Sequence, residues 1–179
     1  MSEDNKKKGI EASFKSMDTE EFLDIYFNRP IGYAWALFFK KMKVHPNVVT
    51  ILSIFLGVGA GIMFYYPDMT HTLIGIFLLM WANHYDSADG QLARLTGQKT
   101  QWGRMLDGFA GDLWFFTIYV AICLRLMDEP MPFDPSLNWG IFIWILAVVA
   151  GTLCHSKQCT LADYYRNVHL YFLKGKAGS

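Results

Sequence analysis

Apolar and polar residues along this chain fall in long blocks, and the block lengths are those of helices that meet a membrane. Residues 1–28 are polar and charged, opening with Lys6-Lys7-Lys8, and form a polar N-terminal segment. Residues 29–43 run Pro-Ile-Gly-Tyr-Ala-Trp-Ala-Leu-Phe-Phe from Pro30 to Phe39 and then turn basic at Lys40, Lys41 and Lys43. This run is too short to cross ~30 Å of hydrocarbon. Pro30 suits a first helical turn, and the pattern predicts an amphipathic interfacial helix with Trp35, Phe38 and Phe39 in the acyl boundary. Four longer apolar blocks follow, predicting spans at about 47–66, from about 72 through the acidic stretch near 86–89, at 103–127 and at 137–154. Pro46 stops the preceding helix and Asn47 is the expected N-cap of the first span. Gly57 and Gly61 form a GxxxG pair that lets a neighbouring helix approach closely. A Pro-rich link covers residues 128–136, and residues 157–179, mixed aromatic and basic, predict a further interfacial or partial helix. The fold class is therefore all-α: a polytopic membrane bundle of about four transmembrane helices over residues 44–179, with an N-terminal interfacial helix.

Composition agrees. At 53% apolar and 16% aromatic, with nine Met and six Trp, the chain is rich for a soluble domain of its size. Zero formal net charge speaks against a nucleic-acid partner. Cys123, Cys154 and Cys159 have neither zinc nor redox spacing. The first apolar run lacks a cleavable-signal layout and is read as retained. Charge also orients the bundle. Fifteen of the sixteen Lys and Arg lie before the first span, in the loop around residues 94–104 or after the fourth span, and only Arg125 lies on the other side. The positive-inside rule makes the first side cytoplasmic, so the N-terminus and the acidic stretch face the cytoplasm.

That stretch carries the chemistry. It reads Asp86-Ser-Ala-Asp89-Gly90-Gln-Leu-Ala93-Arg94, then eight residues, then Gly103-Arg-Met-Leu-Asp107. Steps of three and four put Asp86, Asp89, Gly90 and Ala93 on one helical stripe and Gly103, Asp107 and Gly111 on another. Acids that close to a hydrocarbon core are costly and mark a functional site. Carboxylates converging beside small residues suit a hard divalent cation on a phosphorylated substrate. Arg94 either snorkels to the interface or forks onto a phosphate. His84 is most simply an interface histidine bonded to backbone. A cation-permeation path is a weaker alternative, because the acids gather at one membrane side.

The segment resembles the signature of the CDP-alcohol phosphotransferase family, D-x-x-D-G-x-x-A-R, eight residues, G-x-x-x-D-x-x-x-D. It matches at Asp86, Asp89, Gly90, Ala93, Arg94, Gly103 and Asp107 with the spacing intact, and Pro46 to Thr50 is similar to the start of the family's first transmembrane helix. The resemblance implies an integral membrane enzyme that transfers a substituted phosphate from a CDP-linked donor, such as CDP-diacylglycerol, to an alcohol acceptor in lipid headgroup synthesis, releasing CMP. It implies that Asp86, Asp89 and Asp107 hold one or two Mg²⁺ or Mn²⁺ ions on the donor pyrophosphate. Gly90, Ala93 and Gly103 would leave room for the nucleotide, and Arg94 would touch phosphate.

Two departures stand out. The family's fourth aspartate, its expected base, belongs at Gly111; Asp112 is adjacent, but one residue rotates it about 100° around a helix. Asp112 is the candidate base, returning to the site through a π-bulge or a different helix rotation. The alternatives are a silent nucleotide-binding subunit without a base, and a variant transferase acting on a phosphorylated polyol or a sphingoid lipid. The second departure is length, since the family has six transmembrane helices. A truncated chain, an irregular fifth element at 157–179, or a homodimer would each account for that.

Overall fold

The computed structural model describes residues 24–174; the polar N-terminal segment up to Leu23 lies outside the described residues. Those described are helical, apart from connecting turns and one isolated bridge between Pro130 and Asn138. The chain divides into two compact units, Met1–Ile118 and Tyr119–Ser179.

In the first unit a π-helical turn, Asp24–Asn28, leads into α1 (Arg29–Lys41), with Pro30 in its first turn. α1 ends in a Schellman-type closure: the Lys43 N–H donates to Lys40 O at 3.1 Å and the Val44 N–H to Phe39 O at 3.0 Å. This closure puts Lys43 in the left-handed region, at φ 57°, where glycine is usual. α2 (Pro46–Met63) is capped by His45, not by the expected Asn47. The His45 Nδ1 accepts the Asn47 N–H at 3.2 Å. The reason is Pro46, which is itself the first helical residue and has no N–H to satisfy, so the cap falls before it. α3 (Met69–Thr96) begins at Asp68, whose side chain accepts the His71 N–H at 3.1 Å, and closes on Gly97 at φ 70°. α4 (Gln101–Leu126) is capped by Thr100, whose Oγ1 accepts the Gly103 N–H at 2.9 Å.

Two clusters join these helices. Ala36, Phe39, Val49 and Leu92 pack α1, α2 and α3 together, flanked by Trp35 and Tyr85. Phe39 is therefore a core residue, 6% exposed, and not the lipid-facing anchor expected of it; Phe38 is the exposed ring. Ala82, Ala110 and Trp114 join α3 to α4, with Ile54 and Leu56 of α2 against them. The GxxxG pair is used within the chain. A Cβ on Gly57 would lie 2.2 Å from the Trp114 ring and one on Gly61 2.6 Å from the Thr117 side chain, so both glycines admit α4 to α2.

In the second unit, the end of α4 is followed by a closed loop. Met131 N–H donates to Leu137 O at 2.7 Å, Trp139 N–H to Glu129 O at 3.1 Å and Gly140 N–H to Met127 O at 2.8 Å. These bonds hold residues 137–139 in the link, so the last apolar helix starts at Gly140 (φ 46°) and not at 137. It runs as α5 (Gly140–Val148), widens to a π-helix over Val149–Ser156 and continues as α6 (Lys157–Lys174). The break expected after residue 154 is absent because no Pro intervenes and the π-helical turns keep the backbone bonded.

Among the described residues three helices are long and apolar enough to cross a membrane, Pro46–Met63, Gln101–Leu126 and Gly140–His169, each with an 18-residue stretch of mean hydropathy 1.8, 1.5 and 1.6 in turn. The chain is an integral membrane protein. α3, the other expected span, has 28 residues and a length of about 42 Å, but Asn83, His84, Asp86 and Asp89 make its second half polar.

Candidate metal centre

Three helices of the first unit build this site. α3 carries Asp86 and Asp89 three residues apart on one face, and α4 brings Asp107 to them. One carboxylate oxygen from each of Asp86, Asp89 and Asp107 lies within 4.8 Å of the others. Burial is graded: Asp89 is 5% exposed, Asp86 half-buried and Asp107 exposed. The cluster thus opens outward on the α4 side. Asp86 and Asp107 come within hydrogen-bonding reach of each other. Full charges 4.8 Å apart would repel by roughly 3–4 kcal/mol per pair at an effective dielectric near 20, before screening.

The donor set fits a hard divalent cation. It consists of oxygens only, and two ligands on one Mg²⁺ at about 2.1 Å can be at most about 4.2 Å apart. Neighbouring ligands on such an ion lie about 3.0 Å apart, so the triad, whose oxygens lie within 4.8 Å of one another, would close inward on binding. Cationic groups flank the acids: Arg29 is close enough to Asp86, and Arg94 to Asp89, for their charges to interact.

The small residues of the motif play different parts. Gly90 is half-buried, and a Cβ there would meet the Arg94 guanidinium at 3.6–3.9 Å; Arg94 thus folds back along α3 over the second aspartate's neighbour. Ala93 is half-buried on the same helix. Gly103 is half-buried in the first turn of α4, where a Cβ would lie 3.1 Å from Thr100 Oγ1 and 3.2 Å from Asn47 Oδ1. Its missing side chain lets the first turns of α2 and α4 approach.

Asp112 is exposed and is not one of the three clustered acids. α4 is continuous α-helix from Gln101 to Leu126, so the π-bulge that would rotate Asp112 back does not form. At Gly111 a Cβ would meet nothing within 4 Å, leaving the position of the missing fourth aspartate open. His84 is 5% exposed and its Nδ1 has no hydrogen-bond partner. It is not the backbone-bonded interface histidine expected, because its ring faces the Phe27 ring at 5.7 Å, which offers no lone pair.

Several contributors lie outside the fixed positions of the acidic motif. Thr50 of α2 donates to Asp89 Oδ2 at 2.5 Å while 3% exposed. Gln91, fully buried at one of the motif's variable positions, donates to Arg29 O at 3.1 Å and contacts Ser87 Oγ at 3.3 Å. Gly32 of α1 packs on the same two side chains, with a Cβ there only 2.7 Å from Ser87 Oγ. The variable positions thus dock the first turn of α1 onto the site helix. A signal for Thr50 was present: Thr50, Ser53, Gly57 and Gly61 make a small-residue stripe along α2 that ends at the acids.

Residues 43–167 match the CDP-alcohol phosphatidyltransferase family. Two proteins of Aquifex aeolicus (strain VF5) are similar. One, an uncharacterized protein, is 40% identical over 70 residues, covering 39% of this chain and 34% of its own length. The other, a bifunctional IPC transferase and DIPP synthase, is 26% identical over 141 residues, covering 75% of this chain and 30% of its own length. The chain spans about a third of the length of these curated relatives. No solved structure matches it.

Proposed function

The chain belongs to the CDP-alcohol phosphatidyltransferase family, and from that premise we propose that it transfers a substituted phosphate from a CDP-linked donor to an alcohol acceptor, releasing CMP. One observation carries this reading: three carboxylates from two neighbouring helices converge within 4.8 Å in the matched segment. Asp86, Asp89 and Asp107 would hold one or two Mg²⁺ or Mn²⁺ ions. A divalent cation bound there neutralises pyrophosphate charge and stabilises the departing nucleotide. The chain's own residues do the rest. Arg94, beside Gly90, binds donor phosphate, and Ala93 and Gly103 keep bulk away from the nucleotide. Thr50 and Gln91 hold Asp89 and the first turn of α1 in place. The excess of basic residues on one side supports a cytoplasmic site, with a CDP-linked lipid such as CDP-diacylglycerol entering from the bilayer.

The acceptor's proton must be removed as its oxygen attacks phosphorus. Within this proposal Asp112 is the base. A second reading is favoured by the open space at Gly111: the site binds nucleotide and lacks a base. A third is a reaction of the DIPP synthase kind, favoured by the relative of that name, which aligns over 75% of the chain.

The test is CMP release by the purified full chain with a panel of CDP-linked donors, CDP-diacylglycerol among them, Mg²⁺ and a panel of acceptors, with products identified by mass. Activity in wild type that is lost in Asp112→Asn supports the base assignment. Turnover absent in wild type and gained in Gly111→Asp supports the baseless reading. Turnover with phosphorylated polyols alone supports the third. No turnover in either chain, with any donor or acceptor, contradicts the transferase proposal.

A further inference from the structure

We propose that Thr50 is a positioning residue of the metal centre: its hydroxyl fixes the Asp89 carboxylate through one oxygen and leaves the other to the cation. This deepens the function proposed above and rests on it. The molecule supplies its own controls. Thr72, Thr96, Thr117, Thr152 and Thr160 each donate to the carbonyl four residues earlier, at 3.1, 2.8, 2.8, 2.6 and 2.9 Å. Thr50 lies farther from its own such carbonyl, Pro46 O, at 3.3 Å, and has Asp89 Oδ2 at 2.5 Å. A hydroxyl has one proton to give, and here the shorter contact and the charged acceptor both draw it to Asp89.

The Gly90 backbone N–H also bonds the Asp89 carboxylate, but from the same helix, so Thr50 is the donor that ties it to α2. Thr50 is 3% and Asp89 5% exposed, so water cannot take over the missing donor. The base holding Thr50 is rigid. His45 caps α2, Pro46 fixes its first backbone angle, and the Ser53 hydroxyl donates to Thr50 O at 2.7 Å. A metal-binding carboxylate is oriented by the group that bonds its other oxygen, and losing such a group lowers metal affinity by about 10–100-fold.

The experiment titrates Mn²⁺ into the full chain in nanodiscs without substrate, following the free-ion paramagnetic resonance signal. Thr50→Val keeps the shape and removes the donor; Thr50→Ser keeps the donor. Thr152→Val deletes a hydroxyl bonded only within its own helix. The expected result is affinity about 10–100-fold weaker in Thr50→Val, restored in Thr50→Ser and unchanged in Thr152→Val. The concentration of metal giving half-maximal CMP release should move with it, while the KM for the acceptor stays put. Wild-type affinity in Thr50→Val overturns the proposal and leaves the metal centre standing. A wild-type chain that takes up no Mn²⁺ overturns both. Should Thr50→Val not fold, Thr50→Ala decides: affinity lost in Ala and kept in Ser supports the role, and affinity kept in both overturns it.

Discussion

The helix Pro46–Met63 and the helix Gly140–His169 each hold an 18-residue apolar stretch, with mean hydropathies of 1.8 and 1.6, yet 39% of the first stretch is buried within the chain and 6% of the second. Their polar side chains differ in the same way. In the first unit polar groups bond to their own helix, as Thr96 does to Leu92 O, and also across helices, Thr50 to Asp89 and Gln91 to the Arg29 carbonyl. In the C-terminal helix the side-chain hydrogen bonds stay within the helix, as from Thr152 to Val148 O and from Thr160 to Ser156 O. Bonds within a helix let a polar residue sit in an apolar surround without a partner element. Bonds across helices fix one helix against another, as a site that must hold carboxylates in register requires. Hydropathy alone does not distinguish these two helices; where the polar groups send their hydrogen bonds does.

The contrast breaks most sharply at the acids. Asp107→Asn should reduce CMP release by more than about 100-fold, since even the groups that orient metal ligands are worth 10–100-fold. Asp163→Asn, in the C-terminal helix, should leave turnover unchanged. Equal losses would erase the distinction between the two regions. A smaller effect is expected from packing. At Gly57 an added Cβ would fall 2.2 Å from the Trp114 ring, whereas at Gly151 it would fall 3.7 Å from the Tyr119 ring, an ordinary contact. Gly57→Ala should therefore destabilise by about 1–3 kcal/mol and Gly151→Ala by less than about 0.5 kcal/mol, as read from thermal melts in detergent.

Much of this was legible in the sequence. Block lengths revealed helices, steps of three and four put Asp86 and Asp89 on one stripe and Asp107 on another, and the family resemblance implied that the three would meet. What was not legible depended on tertiary choice. Nothing local says that Phe39 turns inward while Phe38 turns out; that follows from how Val49 and Leu92 pack on α1. Likewise the small-residue stripe marks Thr50 as facing a neighbour, but its partner Asp89 shows only once α3 lies beside it. The cap at His45 could have been read from Pro46, which cannot need one. Continuity from Gly140 to Lys174 was hidden because the polar residues from His155 onward end the apolar block, so residues 157–179 read as a separate interfacial or partial helix.

Two further outcomes sharpen the account at lower amplitude. Lys43 holds a left-handed backbone at φ 57° without a glycine's freedom, so Lys43→Gly should stabilise the first unit by about 1 kcal/mol in the same melts. On the turn between α2 and α3, the hydrogen bond from His71 holds the Asp68 carboxyl below its ordinary value of 3.8. A depressed acid contributes its stability above the unfolded value and loses it as pH falls through the folded one. The wild-type advantage over Asp68→Asn should thus be present at neutral pH and disappear below pH 3.8, with CMP release at neutral pH alike in both; helix melting followed by circular dichroism against pH checks it.

The most direct test of the central claim is CMP release by the full chain in liposomes, with a CDP-linked donor and mixed acceptors, comparing wild type with Asp89→Asn with and without a chelator. The account predicts release in wild type that stops on chelation, returns with Mg²⁺ or Mn²⁺, and is absent from Asp89→Asn under every condition. Release that survives both the chelator and the loss of the Asp89 charge would contradict it.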